Sequence, residues 1–133
     1  MYDALIKLKT IYPNITKDIS DETIIICSLF HDICKVNFYT VQQKWQKNKN
    51  DKWEICDSYT VSEELQFGGH GSKSVYILSK YIKLLDEEAI AINNHMSSWE
   101  EGKAREVGNI YDAHPFVWLL HIADESSTFA IKR

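Results

Sequence analysis

SLFHDICK, residues 28–35, closes an apolar run that begins at Ile24. A helix packed on a core has no use for a histidine and an aspartate side by side. A carboxylate buried without a partner is expensive, so the pair asks for a counter-charge, hydrogen bonds or a metal ion. The same stretch decides the fold. TIIICSLF is rich in β-branched residues and could be a buried strand, but Ser20-Asp21-Glu22 before it offers an N-cap and an acidic first turn. Those signals make residues 21–34 a helix, and they place His31 and Asp32 near its end.

Working outward, YDALIKLKT at 2–10 carries Ala4, Leu5 and Leu8 at helical spacing, and Tyr12-Pro13-Asn14 breaks it. FYTVQQKW and KWEICDSY, joined by KNKND, read as a β-hairpin over about residues 38–58. Residues 59–68 read as a polar loop. GGH at 68–70 opens a helix with Val75, Leu78 and Ile82 on one face, and Asp86 to Met96 forms another. Residues 97–113 are polar and contain glycine, which suits a long loop or lid. A last helix starts near His114. The expectation is an all-α fold: a bundle of about five helices with a small β-hairpin insertion, residues 1–133 forming one domain.

Composition sets limits. With 133 residues, 44% hydrophobic, the chain can bury one core. A formal charge of −4 argues against broad nucleic-acid binding. The three cysteines, Cys27, Cys34 and Cys56, form no C-x-x-C pair, so neither a disulfide framework nor a zinc ribbon is indicated, and a reducing cytoplasm is expected. No apolar stretch approaches the roughly 18 residues of a membrane span, so neither a membrane span nor a signal peptide is expected.

Several other helices contain or end on a side chain of the metal-ligand type: His70 starts one, His95 lies near the end of another, and Asp124 follows the apolar VWLLHIA. Taken singly, each has a plain structural role as a cap, a helix-dipole partner or a solvent edge. Taken with His31 and Asp32, they form a set of imidazoles and carboxylates, the ligands that borderline and hard divalent metals share.

On these residues the chain resembles a known family. HDICK at 31–35 with a distant HIAD at 121–124 is similar to the HD-domain superfamily of metal-dependent phosphohydrolases. The resemblance implies an all-helical domain with a metal on His31, Asp32 and Asp124. The HD-x-x-K form resembles the variant found in HD-GYP phosphodiesterases, without the GYP signature. It implies further ligands at His70 in GGHG and His95 in NNHM, and a phosphate-facing Lys35. One or two divalent transition ions are implied, and mixed nitrogen and oxygen ligands suit Fe, Mn, Zn, Ni or Co.

Asp32 and Lys35 are then the expected catalytic residues, acting on a nucleotide or other small phosphate ester through a metal-activated hydroxide. Lys35, Lys73 and Trp99 are expected to bind substrate, with Tyr59 and Phe67 as further stacking candidates. His121, one helical turn before Asp124, would support the ligands from behind. One departure stands out: the family's first histidine usually precedes the His-Asp pair, and no histidine precedes His31. Two readings stay open, a domain that lacks an N-terminal segment and a degenerate member that binds a nucleotide or a partner protein. The sequence does not indicate an oligomeric state.

Overall fold

The computed structural model describes residues 1–61, 68–96 and 104–130. Helix α1 (Tyr2–Ile11) is followed by the short α2 (Pro13–Thr16) and by α3 (Asp21–Phe30). A 3-10 turn (Ile33–Lys35) leads into strands β1 (Tyr39–Lys47) and β2 (Trp53–Val61). Helices α4 (His70–Leu78), α5 (Asp86–Asn94), α6 (Ala104–Ala113) and α7 (Pro115–Phe129) complete the described chain.

Helix α3 starts where its cap demands. The Ser20 hydroxyl oxygen accepts the Thr23 backbone N–H at 3.0 Å, and Asp21 and Glu22 fill the first turn. Thr23 then donates its own hydroxyl to Glu88 Oε1 at 2.9 Å, while Glu88 Oε2 accepts the Leu85 N–H at 2.8 Å. This buried carboxylate therefore ties the start of α3 to the start of α5, with both oxygens satisfied. The helix ends earlier than its apolar pattern suggests. Asp32 leaves helical geometry at φ −111°, ψ 24°, and the Lys35 N–H closes a tight turn on the Asp32 carbonyl at 2.9 Å.

Helix α7 is the centre of the core. It buries Phe116, Val117, Leu119, Leu120 and Ala123, and it packs against α1, α2, α5 and α6. Leu5 of α1, Ile24 and Cys27 of α3, Leu78 of α4 and Ile92 of α5 complete the same cluster. Each large side chain taken out of water here contributes roughly 1.5–3 kcal/mol.

The all-α expectation of about five helices is corrected. Among the described residues there are seven α-helices together with a two-stranded antiparallel sheet of nine residues per strand, a sheet component that an all-α description leaves out. Two of the helices occupy stretches whose pattern reads as a break or a loop. Pro13 sits at the first helical position of α2, where its missing N–H costs nothing. Helix α6 occupies 104–113 with only Val107, Ile110 and Tyr111 as an inward stripe, hidden in composition by polar neighbours. Strand β2 runs on to Val61, so Tyr59 lies in a strand rather than a loop. The remainder of that loop at 62–67, with Phe67, and residues 97–103 of the loop or lid expected over 97–113, with Trp99, lie outside the described residues, while α6 replaces the rest of it.

Candidate metal centre

Three helices deliver ligand-type side chains to one place. His31 caps the C-terminus of α3, His95 caps the C-terminus of α5, and Asp124 lies in α7. One donor atom from each falls within 4.8 Å of the other two. His31 Nε2 is 3.6 Å from Asp124 Oδ1, and the two imidazole rings meet edge to face at 4.9 Å between centroids. Asp32 joins from the turn after α3, with Oδ2 3.5 Å from His31 Nε2 and Oδ1 3.6 Å from His95 Nε2.

Backbone carbonyls orient both rings. His31 Nδ1 faces the Ser28 carbonyl at 3.3 Å, and His95 Nδ1 faces the Ile92 carbonyl at 2.7 Å. A carbonyl can only accept, so in each neutral imidazole Nδ1 carries the hydrogen and Nε2 keeps its lone pair. Both lone pairs are thereby turned toward the carboxylates. His121 Nδ1 donates to the His95 carbonyl at 2.8 Å, buttressing His95 from α7, and its Nε2 stands 3.7 Å from Glu125 Oε1.

These atoms fit a divalent cation. Gaps of 3.5–3.6 Å are too long for direct hydrogen bonds between the donors. Ligands each about 2.0–2.2 Å from a common ion lie about 3–3.5 Å apart. Asp32 Oδ1 and His95 Nε2 are buried, and neither has a hydrogen-bond partner among the described residues. A carboxylate oxygen facing an imidazole lone pair is unfavourable unless positive charge lies between them. The histidines' hydrogen bonds to carbonyls through the far ring nitrogen are the usual support of imidazole ligands.

The carboxylates are held ionised. Burial pushes the Asp32 carboxyl up, but with no ion bound Lys35 and, when protonated on Nε2, the His95 and His31 rings together outweigh it and hold it well below the usual range. In that same ion-free state the His31 ring, when protonated on Nε2, holds Asp124 below that range against the opposing effect of burial. Lys35 Nζ lies 2.6 Å from Asp32 Oδ2, and although burial alone would lower its pKa, Asp32 and Asp124 raise it, so it stays charged.

A cleft of about 480 Å³ opens beside the cluster, lined by His31, Asp32, Lys35, Asp124, Glu125 and Thr128 among others. Glu125 and Thr128 are additions to the residues expected from sequence. Glu125 follows His121 by four residues and shares its face, a helical spacing that could have indicated it.

His70 and Lys73 are not among the side chains that meet in this cluster or line its cleft. His70 is exposed at the first turn of α4, its Nδ1 3.6 Å from Cys34 Sγ and its ring against Phe38. Lys73 Nζ lies over the Phe38 ring at 5.5 Å. The next residue of GGHG matters differently. A Cβ on Gly71 would lie 2.2 Å from the Asn93 carbonyl oxygen and 2.6 Å from that of Ile92. Glycine thus lets α4 lie against the carbonyl that orients His95.

The HD domain family matches residues 4–126 of this chain. The chain belongs to that family, which is typical of metal-dependent phosphohydrolases. No curated protein and no solved structure matches it. No helix among the described residues is long and apolar enough to cross a membrane.

Proposed function

From its place in the HD domain family, we propose that this protein is a metal-dependent phosphohydrolase acting on a nucleotide or another small phosphate ester. One observation carries the reading: Asp32 Oδ1 and His95 Nε2 are buried with no hydrogen-bond partner among the described residues, in the same cluster as His31 and Asp124 and beside a cleft that also holds Lys35. His31, Asp32, His95 and Asp124 would hold the ion, and their mixed donors suit Fe, Mn, Zn, Ni or Co. A divalent ion bound there supplies Lewis acidity and a nucleophile drawn from water near neutral pH.

The chain's own groups do the rest. Lys35 is half-exposed and charged, and it moves from its Asp32 partner to a phosphoryl oxygen of the substrate, offsetting charge that builds in the transition state. His121 holds His95 through its main chain, so the ring keeps its orientation during turnover. His70 is placed with Cys34 and Phe38 and is left out of this ligand set.

The test is a phosphatase and phosphodiesterase screen over nucleoside mono-, di- and triphosphates and a generic phosphodiester, with the metal content of the same protein measured. Activity that disappears in Asp32→Ala, with the helical circular dichroism retained, supports the assignment. Activity unchanged in that variant would remove Asp32 from the chemistry. A folded, metal-loaded protein inert on the whole panel would favour a binding domain instead.

A further inference from the structure

The β1–β2 ribbon sorts its side chains by face. Its register pairs Tyr39 with Val61, Val41 with Tyr59, Trp45 with Ile55 and Lys47 with Trp53. Side chains alternate along a strand, so these residues share one face, joined at its centre by the Gln43–Asp57 pair. The other face is polar, with Thr40, Gln42, Lys44, Glu54, Ser58 and Thr60. The seven apolar residues of the first face are each 40–74% exposed.

A lone two-stranded hairpin is marginal in water and needs its apolar face covered. Among the described residues neither strand packs broadly on a helix. With aromatic side chains at about 200 Å² each, the face leaves on the order of 700–800 Å² of side-chain surface in water. A monomer's largest apolar patch is typically about 300–600 Å², whereas one partner in a standard stable interface contributes about 800 Å². The ribbon therefore carries what one half of a dimer needs. Its charges suit self-pairing as well: the face holds one cation, Lys47, and one anion, Asp57. A nucleic acid would find no positive surplus there.

We propose that this face is a homodimer interface, in which two copies pack ribbon on ribbon about a twofold axis with their aromatic faces together. The inference is independent of the phosphohydrolase reading. Trp45, Trp53 and Tyr59 are the anchors, as buried aromatics dominate such contacts.

The mass of the full chain in solution tests it, by light scattering after size exclusion. At about 100 µM, above the Kd of well-formed interfaces of this size, the expected mass is twice the 15.5 kDa of one chain. Trp45→Glu and Tyr59→Lys should each weaken the dimer at least about tenfold and leave the helical circular dichroism in place. Lys44→Glu, on the polar face, should leave the mass unchanged. A wild-type chain that is monomeric at that concentration overturns the proposal. If that monomer also sediments with phosphatidylcholine–phosphatidylglycerol vesicles, the face belongs to a lipid surface. A dimer that survives both aromatic-face substitutions overturns it equally.

Discussion

His95 Nε2 lies 3.6 Å from Asp32 Oδ1, both atoms are buried, and neither has a hydrogen-bond partner among the described residues. Such an arrangement is unfavourable without positive charge between the two, so the folded protein should gain stability from a divalent transition ion. At a hundredfold excess over Kd the gain is about 2.7 kcal/mol, a rise in Tm of roughly 5–10 °C for a chain of this size. Differential scanning fluorimetry with Mn²⁺, Zn²⁺ or Ni²⁺ should show the rise in the wild type and little of it in His95→Ala. A rise of equal size in that variant would place the ion elsewhere.

His121 Nδ1 donates to the main-chain carbonyl of His95 at 2.8 Å. His121→Ala should weaken metal binding by about 10–100-fold, read by competition with a fluorescent chelator. His121→Asn keeps a hydrogen-bond donor on a shorter side chain and should recover part of the loss. Equal affinity in all three proteins would show that the bond does not orient His95.

Gly71 and Gly108 should respond oppositely to alanine. A Cβ at Gly71 collides with the Ile92 and Asn93 carbonyls, whereas one at Gly108 meets nothing within 4 Å. Gly71→Ala should destabilise by about 1–3 kcal/mol in urea unfolding and loosen metal binding through the Ile92 carbonyl. Gly108→Ala, inside helix α6, should stabilise by about 0.5–1 kcal/mol.

Lys35→Met should lower kcat/KM on the proposed phosphate ester by about 10²–10³. The metal affinity should stay near that of the wild type, because no ligand is removed. Loss of bound metal in this variant would mean that Lys35 supports the cluster rather than the substrate.

Acid should weaken the metal-free protein in a defined direction. Asp32 and Asp124 both have folded-state pKa values below their unfolded values. A depressed carboxyl contributes stability that is fully present above the unfolded value, near 4, and is lost as pH falls through the folded value. Urea midpoints in chelator should therefore hold steady from pH 7 to about 5 on account of these two groups and fall below about pH 4. Asp32→Asn should flatten part of that fall. The same slope in wild type and variant would show that Asp32 does not contribute to it.

Local chemistry in the sequence settled a good deal. Ser20, Asp21 and Glu22 announce where α3 begins, because a helix terminus needs oxygen acceptors for its free N–H groups. Most of the ribbon, residues 38–58, announces itself through aromatic and β-branched content on either side of a polar turn, a local signal that needs no tertiary context, whereas its end at 59–61 reads as loop. His31, Asp32 and Asp124 stand out because apolar runs lead into them, and polarity against such a background is legible without coordinates.

Only the tertiary structure decided the rest. Helix α6 carries Val107, Ile110 and Tyr111 at helical spacing, a period present in the sequence but masked by the polar composition of the stretch until those residues are seen packed inward. His70 follows the other histidines in order along the chain, yet the packing of α4 on the turn at Ile33–Lys35 sets it beside Cys34. Conversely, His95 reaches His31 and Asp124 because α5 and α7 pack together and α3 packs on α5. Ligand convergence depends on helix packing between residues far apart in the chain. No spacing within a single helix encodes it.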